Sequence, residues 1–174
     1  MPLTVGRTEL LVADDDAVFR QAIHDALGFS SRLQEIRNGL AELTGLSGPA
    51  YSILIAIEHL SREAEVGISG VGEHLHLSGA FVTIEVNKLV KAGLVDKRQH
   101  PEDGRRVVLT VTGHASRLLH DLAPIQRPVN DAIFAALTRT QFRNFAQIIA
   151  ALVNGTKEAL PLLHFLAKQR RRQA

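Results

Sequence analysis

The 174-residue sequence contains no cysteine. That excludes disulfide staples, thiolate metal sites and any sensor that works by thiol oxidation. There is no tryptophan, and aromatic residues make up 5% of the chain against 45% for all apolar residues. The core is therefore expected to be aliphatic and mostly helical. The opening stretch, MPLTVGRTELLVADDD, lacks the basic start, apolar centre and small-residue cleavage site of a secretory leader. No apolar run approaches the roughly 18 residues that a membrane span requires. A cytoplasmic protein with no membrane partner is the expectation.

An excess of charge of one sign is also missing, since 20 bases face 18 acids. What matters is where the bases sit. Lys88, Lys91, Lys97, Arg98, Arg105 and Arg106 share residues 88–106 with only Asp96, Glu102 and Asp103. A focused basic patch on a balanced chain points to an anionic partner. Chemistry of other kinds finds little support. We see no nucleophile beside a base, no phosphate-cradling glycine loop and no paired carboxylates, so an enzyme is not expected. Eight histidines raise the question of a metal. His74 and His76 are two apart, however, and miss the i,i+4 spacing that puts two ligands on one helical face. Neither a metal nor a cofactor is expected.

The pattern along the chain is helical for most of its length. Residues 1–13 read as an N-terminal arm. From Asp14 apolar residues recur at helical spacing to about Gly45, with Gly28, Ser30 and Ser31 suggesting a bend. Ser47 is placed to cap a second helix, with Pro49 in its first turn. A brief strand at Val66 and Ile68 follows, and then a short helix capped by Ser69. Ser78 caps the next helix, which Gly93 ends in a left-handed conformation. On that helix Val82, Val86 and Leu89 form the core stripe, leaving Thr83, Asn87, Lys88 and Lys91 outward.

Next come two alternating runs, Leu94–Arg98 and Arg106–Val111, around a Pro- and Gly-bearing tip. Thr112 is placed to cap a long helix that Pro124 and Pro128 bend or break. Thr138 or Thr140 caps another, interrupted by Pro161, and KQRRR closes the chain as a solvated tail.

Short helix, turn, second helix and hairpin make the plan of a winged helix-turn-helix. A helix of this kind fits the major groove, and the wing reaches an adjacent minor groove. The fold class expected is mainly α with a small β-hairpin wing. Its lobe covers residues 47–112, and residues 14–46 and 113–174 form a helical dimerisation region.

The segment VGEHLHLSGAFVTIEVNKLVKAGLVDKRQHPEDGRRVVLTVT resembles the DNA-binding lobe of the MarR (multiple antibiotic resistance regulator) family. "KLVKAGLV" matches the end of the recognition helix and its turn into the wing. "PEDGRR" carries the Asp-x-Arg wing signature at Asp103 and Arg105. "VT" at Val111–Thr112 stands where the family leaves the wing. Two departures are visible. The family usually has a base at the position of Ile84 and an apolar residue at Glu85, and Ala115 stands where Gly is common.

The resemblance implies a transcription regulator that binds a palindromic operator in double-stranded DNA as a homodimer and represses until an effector releases it. DNA contacts are expected from Ser78, Thr83, Asn87, Lys88, Lys91, Arg98, Arg105 and Arg106, with Asp103 shaping the wing. Family members hold small aromatic or anionic molecules between the dimerisation helices and the lobe. By position, Phe29, Arg32, Tyr51 and His74 are candidates for such a cleft here, with an aromatic acid or acyl thioester as effector. The alternative is a winged-helix module for protein–protein contact without DNA.

Overall fold

The computed structural model describes residues 1–173, so Ala174, the last residue of the expected helical region, lies outside the described residues. The elements are α1 (Ala17–Leu43), α2 (Gly48–Leu60), α3 (Ile68–Leu75), α4 (Gly79–Lys91), β1 (Val95–Gln99), β2 (Val107–Val111), α5 (Gly113–Phe134) and α6 (Arg139–Gln173). A single 3-10 turn, Thr8–Leu10, precedes them. The mainly helical protein with a small hairpin is what the sequence pattern predicts. Among the described residues no single helix is long and apolar enough to cross a membrane.

The chain divides into two units, Met1–Pro124 and the residues from Ile125 onward. In the first, α2 is apolar on nearly every side, and it buries Ala50, Tyr51, Ile53, Leu54, Ala56 and Ile57. Val71 of α3, Val82, Val86 and Leu89 of α4, and Leu109 of β2 close around it. A smaller cluster joins Leu40, Ala41, Tyr51 and Leu122. Fully burying one such aliphatic side chain stabilises a fold by about 1.5–3 kcal/mol.

Several local signals act as expected. Ser47 accepts from the Ala50 amide and Ser78 from the Phe81 amide, each at 3.3 Å. Thr112 Oγ1 accepts from the Ala115 amide at 3.2 Å. Gly93 ends α4 at φ +68°, and the Leu94 amide then donates back to Leu89 O at 2.9 Å. In β1 and β2 the register pairs Val95 with Val111 and Gln99 with Val107.

The structure corrects six expectations, one being the brief strand, of which only an isolated bridge from Val66 to Leu109 remains because Ile68 opens α3. Helix α1 runs unbroken through Gly28, because an exposed glycine weakens a helix without ending it. Helix α3 starts at Ile68 with Gly67 as its N-cap, so Ser69 lies inside the helix rather than capping it. Pro124 and Pro128 both lie within α5. Pro161 lies within α6, where it removes one amide donor but leaves the other turns of a 35-residue helix intact. The closing basic run is helical too. Arg170, Arg171 and Arg172 occupy the last turn, where cations offset the helix dipole.

The N-terminal arm is tied to the start of α1. Asp16, fully buried, accepts from the Thr4 amide and hydroxyl at 2.6 Å and from Arg20. Those donors, Arg20 first, hold its carboxyl well below the usual range. In the second unit Thr138 and Gln141 form a reciprocal cap at the start of α6. The Phe134 ring meets Phe142 edge-on at 5.4 Å.

The turn between α3 and α4 depends on one close approach. The Leu77 amide donates to Gly72 O at 2.9 Å, and a Cβ on Gly72 would sit 2.9 Å from Leu77 O. Both groups are backbone and have little room to retreat. We expect Gly72→Ala to destabilise the protein by about 1–3 kcal/mol, read as a lowered denaturation midpoint. An unchanged midpoint would show that the turn can open.

Candidate nucleic-acid interface and ligand cleft

On α4 the apolar stripe decides what is left outside. Val82 and Val86 are fully buried and Leu89 nearly so, while Ile84, Asn87, Lys88 and Lys91 are exposed. Thr83 is half-buried and its hydroxyl donates to Gly79 O at 2.8 Å. Ser78 is exposed at the N-cap, beside amides suited to an anion.

Glu85 is buried, at 4% exposure, against the trend for a carboxylate. Its Oε1 accepts from Lys88 Nζ at 2.6 Å, while Oε2 is buried with no partner. The exchange at Ile84 and Glu85 therefore has a structural meaning: the carboxylate turns inward and holds Lys88, and an isoleucine faces out.

The wing lies against this helix. Lys97 Nζ, on β1, donates to Asn87 Oδ1 at 3.1 Å. The composition of the hairpin singles out Lys97 as basic, but its partner on α4 lies ten residues away and has no local signature. Arg98 is exposed on β1. At the tip Asp103 Oδ1 accepts from the Arg105 amide at 3.0 Å, and Asp103 O accepts from the Arg106 amide at 2.9 Å. The carboxylate is thus spent on the turn, leaving the exposed Arg105 and Arg106 side chains to project. Both arginines line a hollow of about 300 Å³ with Gly67, the N-cap of α3, Ile68 and Ser69 of its first turn, and Gly79, the first residue of α4. Two guanidinium groups beside two helix N-termini suit a phosphate.

A second concavity, about 550 Å³, opens on α1, α2, α3 and the start of α4. Gln34, Arg37, Ser52, Ile55, His59, His74, Leu75 and Phe81 line it. Arg37 Nη2 donates to Ser52 Oγ at 3.4 Å, and its guanidinium lies 5.6 Å from the Tyr51 ring centre. His59 and His74 have ring centres 5.7 Å apart. Burial, then the neighbouring His59 and His76, hold His74 below its usual range. Arg37 is therefore the dependable cation of the cleft.

Of the residues the sequence suggests for a ligand, His74 lines this cleft. Tyr51 is fully buried, with its hydroxyl unpartnered, and Phe29 and Arg32 are exposed on α1 outside the lining. Sequence reasoning missed Arg37 and His59, which only the packing of α1, α2 and α3 brings together. Among the described residues no cluster of histidine and carboxylate groups could hold a metal ion.

Residues 44–106 match the MarR family. Among solved structures, the chain is similar to the PcaV transcriptional regulator of Streptomyces coelicolor in complex with its natural ligand. The identity is 25% and the TM-score 0.57, covering 73% of this chain and 90% of that one. A MarR/EmrR family regulator from Acinetobacter sp. ADP1 shares the fold at 15% identity and TM-score 0.67, covering 81% and 98%. A mutant MarR of E. coli, solved with operator DNA, shares it at 14% identity and TM-score 0.62, covering 78% and 94%. Comparison with curated proteins finds no match. Members of the MarR family are transcription regulators rather than enzymes. The chain thus carries a MarR-family match over its winged lobe and shares the fold of solved MarR-type regulators over most of its length.

Proposed function

We propose that this protein is a ligand-responsive repressor that grips a palindromic operator as a homodimer. The observation that carries the reading is the Lys97–Asn87 contact, which ties wing and recognition helix into one basic surface. On it, α4 enters the major groove and the wing tip the adjacent minor groove. Ser78, Lys88, Lys91, Arg98 and Arg106 meet phosphates, while Thr83 and Asn87 face base edges. Lys97 occupies Asn87 Oδ1, so the amide nitrogen is the group left to read a base acceptor.

The dimer is argued from apolar surface. Leu152, Leu160, Leu162, Leu163, Phe165 and Leu166 of α6 are each 50–60% exposed, and Val18 and Leu27 of α1 are exposed to a similar degree. A helix apolar on many sides calls for a partner, and a second copy also supplies the second half-site. In this reading residues 47–112 form the DNA-binding lobe, residues 14–46 and 113–174 build the dimer, and residues 1–13 are the arm. The relative from S. coelicolor binds a natural ligand. By analogy, the cleft around Arg37, His59 and His74 takes a small aromatic acid or its acyl thioester. Arg37 meets the carboxylate, and binding shifts the dimer only through unequal affinity for its two states.

The test is binding to duplex DNA drawn from a random pool, measured across salt concentrations together with stoichiometry by sedimentation. Lys88 is already neutralised by Glu85, so Lys91, Arg98 and Arg106 from two lobes give about six charged phosphate contacts and a log–log salt slope of about −5. Two chains should bind per duplex. A flat salt dependence would leave the protein–protein module as the better reading.

A further inference from the structure

The wing tip holds a histidine that the DNA contacts do not use. His100 lies at the end of β1, with a side chain only 13% exposed. Its Nδ1 accepts from two consecutive backbone amides, Glu102 and Asp103, each at 3.2 Å. Its Nε2 lies 3.2 Å from Glu65 Oε2, on the segment between α2 and α3. With Nδ1 accepting, the ring proton belongs on Nε2, where it donates to Glu65. This tautomer follows from the hydrogen-bond network. The next residue, Pro101, offers no amide and sets the turn, so Glu102 supplies the first donor available to the ring.

We propose that His100 is the positioning residue of the wing, which sets the direction in which Arg105 and Arg106 leave the tip. The proposal rests on the DNA-binding reading above. One ring gathers the start of the tip through Nδ1 and ties it through Glu65 to the body of the lobe. The rest of the tip follows from that anchor. Asp103, whose amide His100 holds, uses its own carboxylate on the Arg105 amide. Its carbonyl receives the Arg106 amide. Gln99 Nε2 closes the far side on Gly104 O at 2.9 Å. From His100 to the two arginines the path is a chain of adjacent hydrogen bonds with no gap. Glu65 orients the ring and selects its tautomer, and Nδ1 does the capping.

This division of labour predicts a specific rescue. An asparagine places its side-chain oxygen where Nδ1 stands, the geometry of an Asx turn, and needs no tautomer to be chosen. His100→Asn should keep the cap, whereas His100→Ala should lose it.

Two measurements on the full-length protein decide the matter. The first is amide hydrogen exchange at Glu102 and Asp103 without DNA. Both amides should be protected in the wild type and in His100→Asn, and exchange about tenfold faster in His100→Ala. The second is affinity for a duplex selected by the wild type from a random pool. His100→Ala should bind roughly fivefold more weakly, the scale of one lost side-chain cap, and His100→Asn within about twofold of wild type. Equal protection in all three proteins overturns the proposal, as does His100→Asn binding no better than His100→Ala. If the wild type selects no duplex, the DNA reading fails by itself, and the exchange experiment still decides whether His100 braces the tip.

Discussion

Leu109→Ala is expected to lower the unfolding free energy by about 2–5 kcal/mol, the range for truncating a fully buried leucine. The side chain is 0% exposed and belongs to the main core cluster, although it comes from the hairpin and not from a helix. Its amide donates to Val66 O at 2.8 Å, so the wing strand is pinned at the same residue by backbone and by packing. Truncation leaves a cavity where α2, α3, α4 and β2 meet. A domain of this size carries about 5–15 kcal/mol in total, so the loss is a large share. Chemical denaturation should show a lower midpoint with an unchanged slope. A change below about 1 kcal/mol would mean that the wing is not keyed into the core, and the positions of Arg98, Arg105 and Arg106 would lose their structural basis.

The parts of the fold that were legible are those decided within a few residues. Ser47, Ser78 and Thr112 cap helices because a short hydroxyl meets an amide three positions on. The stripe of Val82, Val86 and Leu89 follows from helical spacing alone. What escaped depends on contacts distant in sequence, or on local rules that a long element outweighs. Thr4 reaches Asp16 across twelve residues, and no spacing rule signals it. Lys97 and Asn87 meet only because β1 folds back along α4. Pro161 was misleading for a different reason: a proline costs one hydrogen bond, and a 35-residue helix has many others.

The candidate site divides in the same way. Asp103, Arg105 and Arg106 were readable as a turn with projecting bases, and the turn is built as the residue types suggest. The cleft was not readable. Arg37, His59 and His74 come from three helices, and the exposed face of each looks ordinary in isolation. Tyr51 shows the converse, since its ring type suggested a ligand platform but α2 turns it into the core.

Arg105→Ala is expected to weaken binding to the selected duplex by about 1–3 kcal/mol. Three features of the tip place this effect on the guanidinium. Asp103 engages the Arg105 backbone and not its side chain, so no intramolecular ion pair must break before DNA is met. The side chain is exposed, so its removal leaves no cavity and stability should change by less than about 0.5 kcal/mol. It also lies in the tip beyond the last strand pair, Gln99 with Val107, and away from the Lys97–Asn87 contact.

Lys91→Ala provides the contrast. A phosphate contact weakens every sequence alike and lowers the salt slope by about 1 for each lobe. Loss of a minor-groove arginine should instead be greatest on duplexes whose flanks are A·T-rich and narrow, where the negative potential is concentrated. Arg105→Lys should recover only part of the loss, because a strongly hydrated ammonium enters a narrow groove less readily than a guanidinium. Equal weakening on A·T-rich and G·C-rich flanks would move Arg105 out of the groove and onto the phosphates, into the hollow it lines with the first turns of α3 and α4.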